Sequence, residues 1–298
     1  MTHEQRDALR AALQHLPAAQ PAPPVETIRS AFESTMASIQ VRPDVVTNET
    51  TLGGRAAIAV RVDASPTEGV ILYLHGGGFV SGSPATALGL TAEVVARTGV
   101  PAVSIDYRLA PETPFPGGLN DCLAAYQELL DGGRRADRIV VVGDSAGGNL
   151  AIALALAAKD AGLPVPAGIV AFSPSADMTR TGESMLSKES RDPFFTRAGL
   201  MHTTAMYLGG SNPENPLASP ALNADFSGMP PMLVQAGTDE VLLDDAVRIA
   251  DRAREAEVDV ILDIVSGVPH VFPSMVGALD EAEEALDRAA LFIRQRVR

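Results

Sequence analysis

The pentapeptide GDSAG, residues 143–147, places a serine between two glycines, directly after the apolar run RIVVV and directly before AGGNLAIALALAAKD. A buried strand feeding a helix through so tight a turn holds its middle residue in a strained backbone conformation and exposes the side chain above the sheet. The Ser145 hydroxyl then stands at a helix N-terminus, where free N–H groups favour developing negative charge. A glycine-rich phosphate turn would need a longer glycine loop or a Lys/Ser pair, and neither follows. Ser145 therefore reads as a nucleophile. A serine hydroxyl attacks at neutral pH only with a base in hydrogen-bond reach, itself oriented by an acid.

Five histidines can supply the base. His3 and His15 fall in a polar N-terminal helix, His202 in a long irregular segment, and His75 at the head of a glycine triplet. His270, in SGVPHVF, follows the final strand pattern VDVILDIV, where the loops at carboxyl strand ends gather. It is the expected base. For the acid, PMLVQAG leads into TDEVLLDD, and Asp239 is the first carboxylate past the strand. Asp244 and Asp245 read as a solvated, dipole-favoured first helical turn. The chain order serine–acid–histidine is that of α/β-hydrolases.

The stretch YLHGGGF, residues 73–79, supplies the remaining chemistry. Attack on a carbonyl creates an oxyanion that needs preorganised N–H donors. Gly77 and Gly78 present backbone N–H groups with no Cβ in the way, and Ala146, next to the nucleophile, supplies another. His75 is then a structural pin for the loop.

Strand-like runs at 56–62, 69–74, 101–107, 138–144, 167–173, 231–237 and 258–265 alternate with helical patterns. Several strands are continuously apolar, as expected when both faces are covered. The alternation predicts an α/β fold with a mostly parallel sheet. Between about 177 and 229 this rhythm stops, and a segment of that length is expected to be a lid or binding loop. The 298 residues carry a net charge of −14, with 46% apolar and 20% charged residues. That balance describes a globular chain and disfavours nucleic acid or anionic lipid as partners. A single cysteine, Cys122, precludes an intrachain disulfide. The absence of a long apolar run predicts no membrane span, and the expected location is cytoplasmic.

HGGGF at 75–79, YRLAPE at 107–112, GDSAGGNLA at 143–151, DPFFT at 192–196, PLASP at 216–220 and GTDEVLLDDA at 237–246 resemble the bacterial hormone-sensitive-lipase-like esterases, family IV of the lipolytic enzymes. The resemblance runs from about residue 40 to the end. It implies an α/β-hydrolase fold with a mostly parallel eight-stranded sheet, flanked by helices and covered by a helical cap. The implied division is N-terminal cap helices over 1–45 and a catalytic domain over 46–298, with a cap insertion at about 178–228. The resemblance implies hydrolysis of carboxylic esters with short or medium acyl chains, and of lactones in its nearest branch, without metal or organic cofactor. An amidase or deacetylase is the alternative enzyme, and a non-catalytic small-ligand receptor the alternative of another class. The implied site comprises Ser145, Asp239 and His270, with Gly77, Gly78 and Ala146 as the oxyanion hole. Phe79, Asp144, Phe194, Phe195, Met206 and Tyr207 are candidate substrate-binding residues, although those in the cap equally suit a cap core, as does Met201. Family members often dimerise through the edge strand, here near 258–265. Many relatives carry a tryptophan after FSP, where this chain has Ser175; the smaller residue predicts a wider pocket.

Overall fold

The computed structural model describes residues 3–13, 23–63 and 67–297. His15 and most of the proline-rich break at 17–24 lie outside the described residues. Two helices come first, α1 (His3–Leu13) and α2 (Val25–Met36), followed by β1 (Val45–Leu52), β2 (Arg55–Val62) and β3 (Val70–Leu74). Helix α3 (Leu88–Thr98), β4 (Ala102–Ile105), α4 (Gly117–Asp131), β5 (Ile139–Asp144), α5 (Ala146–Asp160) and β6 (Gly168–Phe172) complete the first half. The segment after β6 holds α6 (Ser184–Ser187), α7 (Arg197–Leu208) and α8 (Pro220–Asn223). Then come β7 (Met232–Gly237), α9 (Leu243–Glu255), β8 (Val260–Val265) and α10 (Asp280–Arg296).

The sheet order is β1-β2-β4-β3-β5-β6-β7-β8. Strands β1, β2 and β4 pair antiparallel, and every pairing from β4 to β8 is parallel. The composition explains the layers. Ile139, Val141, Leu72 and Ala171 face one side of the sheet with α4, α5 and α9, while Val140, Val142, Tyr73 and Phe172 face the other with α3 and α10. Both faces being covered, β5 carries no polar alternation. Burying each of Leu72, Ile139, Val140, Val141, Val142 and Phe172 contributes about 1.5–3 kcal/mol to the platform that carries Ser145. Helix α5 is buried along Ala146–Ala158 and correspondingly apolar around its whole circumference.

The seven strand patterns read from the sequence correspond to β2 through β8, and five long helices match their patterns within two residues. Strand β1 was not evident, because VVTNETTL is polar and mostly exposed. It exists by pairing along its full length with β2.

Candidate active site

Ser145 sits at φ 55°, ψ −115°, the strained turn expected of the motif. Its N–H donates to Phe172 O at 2.8 Å, and its carbonyl accepts from Ser175 N at 3.0 Å. The flanking glycines are there for space. A Cβ on Gly147 would lie 1.9 Å from Leu74 O, and one on Gly143 2.2 Å from Gly147 O. The turn thus presses against the end of β3, where the glycine loop at 75–79 begins.

His270 turns its Nδ1 to Glu240 Oε2 at 2.7 Å. The expected partner, Asp239, does not meet it: its carboxylate pairs with Arg10 at 2.9 Å and Arg191 at 2.7 Å. The physical reason is the course of the turn after β7. Asp239 N–H donates to Val268 O at 3.1 Å, with the side chain directed to the two arginines. Glu240 follows, one methylene longer and wholly buried, and its Oε1 accepts from Gly237 N at 2.6 Å and Ser173 Oγ at 3.0 Å. Nδ1 facing a carboxylate makes it the protonated nitrogen, which leaves Nε2 as the basic one. Nε2 is buried and has no hydrogen-bond partner among the described residues.

Ser173 joins the two halves. Its hydroxyl donates to Glu240 and accepts from Val271 N at 3.0 Å, while Phe172, one residue earlier, anchors Ser145. Six non-glycine residues among those described have positive φ, and four of them, Phe79, Ser145, Ser173 and Val271, belong to this neighbourhood. Such strain persists only where the surroundings over-determine it.

The N–H groups of Gly77, Gly78 and Ala146 have no protein acceptor among the described residues. His75 is buried, stacked on Tyr107 at 4.1 Å, and meets Gly76 O through Nδ1 at 2.8 Å. Burial pushes its pKa down to about 4, only partly opposed by the Gly76 carbonyl. It is a neutral pin in the loop.

The candidate substrate-binding residues separate. Phe79 and Tyr207 stack at 3.7 Å and are 3% and 4% exposed, so they clamp the glycine loop to α7. Met206 packs against the same core. Asp144 accepts from Tyr73 Oη at 2.9 Å, and its other oxygen lies where a Cβ on Gly76 would fall. It braces the loop from beneath. Burial lifts its pKa to about 6, against the Tyr73 hydroxyl and the His270 charge. Phe194 is 38% exposed, whereas Phe195 places its ring edge-on to His270 at 4.9 Å.

Ser175 does not widen a pocket. It is buried, and its hydroxyl accepts from the buried Arg180 at 2.9 Å, so a guanidinium occupies the adjoining space. Nor is Asp245 solvated: it is wholly buried and accepts from Ala176 N and Asp177 N. Asp244 accepts from Ser184 N at 2.9 Å. A cavity of about 430 Å³ lies between α1, residues 190–193 and the loop at Gly267–Pro269.

A family described as the alpha/beta hydrolase fold matches residues 71–274. An acetyl-hydrolase from Streptomyces hygroscopicus is 38% identical over 224 residues, covering 75% of each chain. An esterase from Acinetobacter venetianus is 34% identical over 256 residues, covering 86% of this chain and 82% of its own. A crystal structure of an esterase from the bacterial hormone-sensitive lipase family superposes with a TM-score of 0.94 at 37% identity, over the whole of both chains. The chain belongs to the bacterial hormone-sensitive-lipase-like esterases of the α/β-hydrolase fold. It is a carboxylesterase. For this esterase the sequence motifs located the strained turn at Ser145 and the glycine loop at 75–79, but not the His270–Glu240 pair, Ser173 or the Arg10–Asp239–Arg191 cluster. The only sequence signal for Glu240 was its place beside Asp239 in GTDEV.

Proposed function

We propose that the esterase cleaves short- to medium-chain acyl esters through an acyl-enzyme on Ser145, with His270 as base and Glu240 as the acid that orients it. His270 Nε2 takes the Ser145 proton as Oγ attacks the carbonyl carbon. The oxyanion is received by the N–H groups of Gly77, Gly78 and Ala146. Collapse expels the alcohol, which takes the proton from His270. Water, deprotonated by His270, then attacks the acyl carbon, and carboxylate and free Ser145 Oγ–H result. The observation that carries this reading is the His270–Glu240 pair at 2.7 Å, which leaves Nε2 unpartnered among the described residues, in a structure whose Ser145 occupies a strained turn. Support for small acyl groups comes from the relative named acetyl-hydrolase.

In this mechanism Ser145→Ala lowers kcat on p-nitrophenyl butyrate by about 10⁴-fold or more, and Glu240→Gln by about 10³-fold, at little changed KM. Wild-type rates in either variant contradict the assignment. A panel of acetate, butyrate and octanoate esters, ring-closed lactones and matched amides measures acyl length and separates ester from amide cleavage.

A further inference from the structure

Among the described residues Glu240 has no hydrogen bond or ion pair to the segment at 178–228, yet both of its neighbours do. Asp239 accepts from Arg191 on Oδ1 at 2.7 Å and from Arg10 of α1 on Oδ2 at 2.9 Å, while itself only 3% exposed. On the other side, Val241 N donates to Asp192 Oδ2 at 2.8 Å. Asp192 Oδ1 accepts from Phe194 N and Phe195 N at 2.8 and 2.9 Å, and Phe195 stands against the His270 ring. The dipeptide Arg191–Asp192 therefore holds the Asp239 carboxylate before Glu240 and the Val241 backbone after it. Asp239 is also fastened through its N–H to Val268 O, at the head of the loop that carries His270.

We propose that Asp239 is a positioning residue for the esterase reaction: its carboxylate couples docking of α1 and of the 191–195 turn to the placement of Glu240 against His270. The inference rests on the Ser145–His270–Glu240 reading. Its physical basis is charge. Two guanidinium groups converge on one buried carboxylate, and removing that carboxylate leaves two cations facing each other beside the acid's turn. The cap segments are then pushed off the turn that fixes Glu240, and the imidazole loses its fixed orientation.

The test is a double-mutant cycle on the full chain, Asp239→Asn, Arg191→Gln and both together. Rates on p-nitrophenyl butyrate are expressed per active site titrated with a phosphonate. The two substitutions change charge in opposite senses, so a field effect on the reaction moves kcat in opposite directions. Positioning lowers it in both. The expected result is a kcat loss of about tenfold in each single variant, KM of Asp239→Asn within about threefold of wild type, and a double variant no worse than the poorer single. Full kcat per titrated site, opposite changes, additive losses, or a loss confined to the titratable fraction would each overturn the proposal. Glu240→Gln in the same assay separates the two levels. If it keeps the wild-type rate, the triad reading falls and takes this inference with it; if it collapses while Asp239→Asn stays active, only the inference falls.

Discussion

At Gly77 the backbone adopts φ 122°, and a Cβ there would meet Ser81 O at 2.1 Å; at Gly78, φ is 62° and the nearest atom, on Thr203, is 3.9 Å away. Two adjacent glycines of one motif therefore answer different demands. Gly77→Ala must displace the segment held by Ser81 N–H and Ser81 Oγ on Gly77 O, which carries the oxyanion donors with it. Loss of one such donor lowers kcat by about 10²–10³-fold. Gly78→Ala keeps the geometry and costs about 1–2 kcal/mol of left-handed backbone strain. Kinetics and thermal melts of the two variants check this: Gly77→Ala is a rate variant, and Gly78→Ala chiefly a stability variant. The sequence revealed these glycines because a missing side chain leaves a compositional mark. It pointed to Asp239 where Glu240 is the carboxylate that faces His270, for the converse reason. Asp239 and Glu240 are chemically near-equivalent neighbours, and which one reaches His270 depends on the direction of a turn set by Val268 O and Gly237 N, contacts some 30 residues apart or purely local in backbone.

Among the elements, the joint between the segment at 177–229 and the sheet is the part least legible in the chain. Strands β3, β5, β6 and β7 announce themselves as unbroken apolar runs because both faces are covered. The joint instead uses polar groups whose partners lie far away. Arg180, at φ 53° and 2% exposed, donates to Ser175 Oγ beyond β6 and to Thr204 Oγ1 on α7. Asp245 lies 3.7 Å from it and Asp177 beneath, the latter also paired with Arg248. Burial raises the Asp245 pKa to about 7, resisted by Arg180 and reinforced by Asp177, and burial likewise lowers Arg180. Ala176 N and Asp177 N donate to Asp245 Oδ2, while Oδ1 is buried without a hydrogen-bond partner among the described residues. A carboxyl whose folded pKa exceeds its unfolded value holds its proton longer in the native state. Its contribution to stability is therefore greatest below the unfolded pKa of 3.8 and declines as pH rises to about 7, then stays level. Asp245→Asn keeps an oxygen acceptor but cannot ionise. The melting temperature of wild type minus that of the variant should fall between about pH 4 and pH 7 and flatten above it. A difference independent of pH would place the ionisation of Asp245 outside this range.

At the scale of the whole molecule, the sheet ends asymmetrically. The polar β1–β2 ribbon forms one edge, and its exposed Thr47–Thr51 stretch suits solvent. At the opposite edge, β8 leaves Ile261 and Ile264 at 53% and 41% exposed, with its outer backbone side unpaired. Asp263 binds Arg288, which sets α10 beside β8, and Leu291, one turn further on, is 50% exposed. An apolar, unpaired edge strand is a template for another strand, and natural proteins blunt or cover such edges. This edge has no inward-pointing lysine or proline to blunt it. We propose that a second copy of the chain covers it, β8 against β8, as the edge-strand dimer implied by the family resemblance. Such pairing joins two sheets across a two-fold axis and leaves both sites accessible, because Ser145 and His270 lie at the strands' carboxyl ends and not on the edge. Ile261→Lys with Ile264→Lys puts like charges opposite one another across the axis, while each protomer's interior is untouched. Sedimentation should show dimer for the wild type and monomer for the double variant, with kcat within about twofold, since interface charges act on association and not on a distant reaction centre. A wild-type chain that sediments as a monomer at micromolar concentration would remove the dimer and leave the exposed isoleucines without a partner.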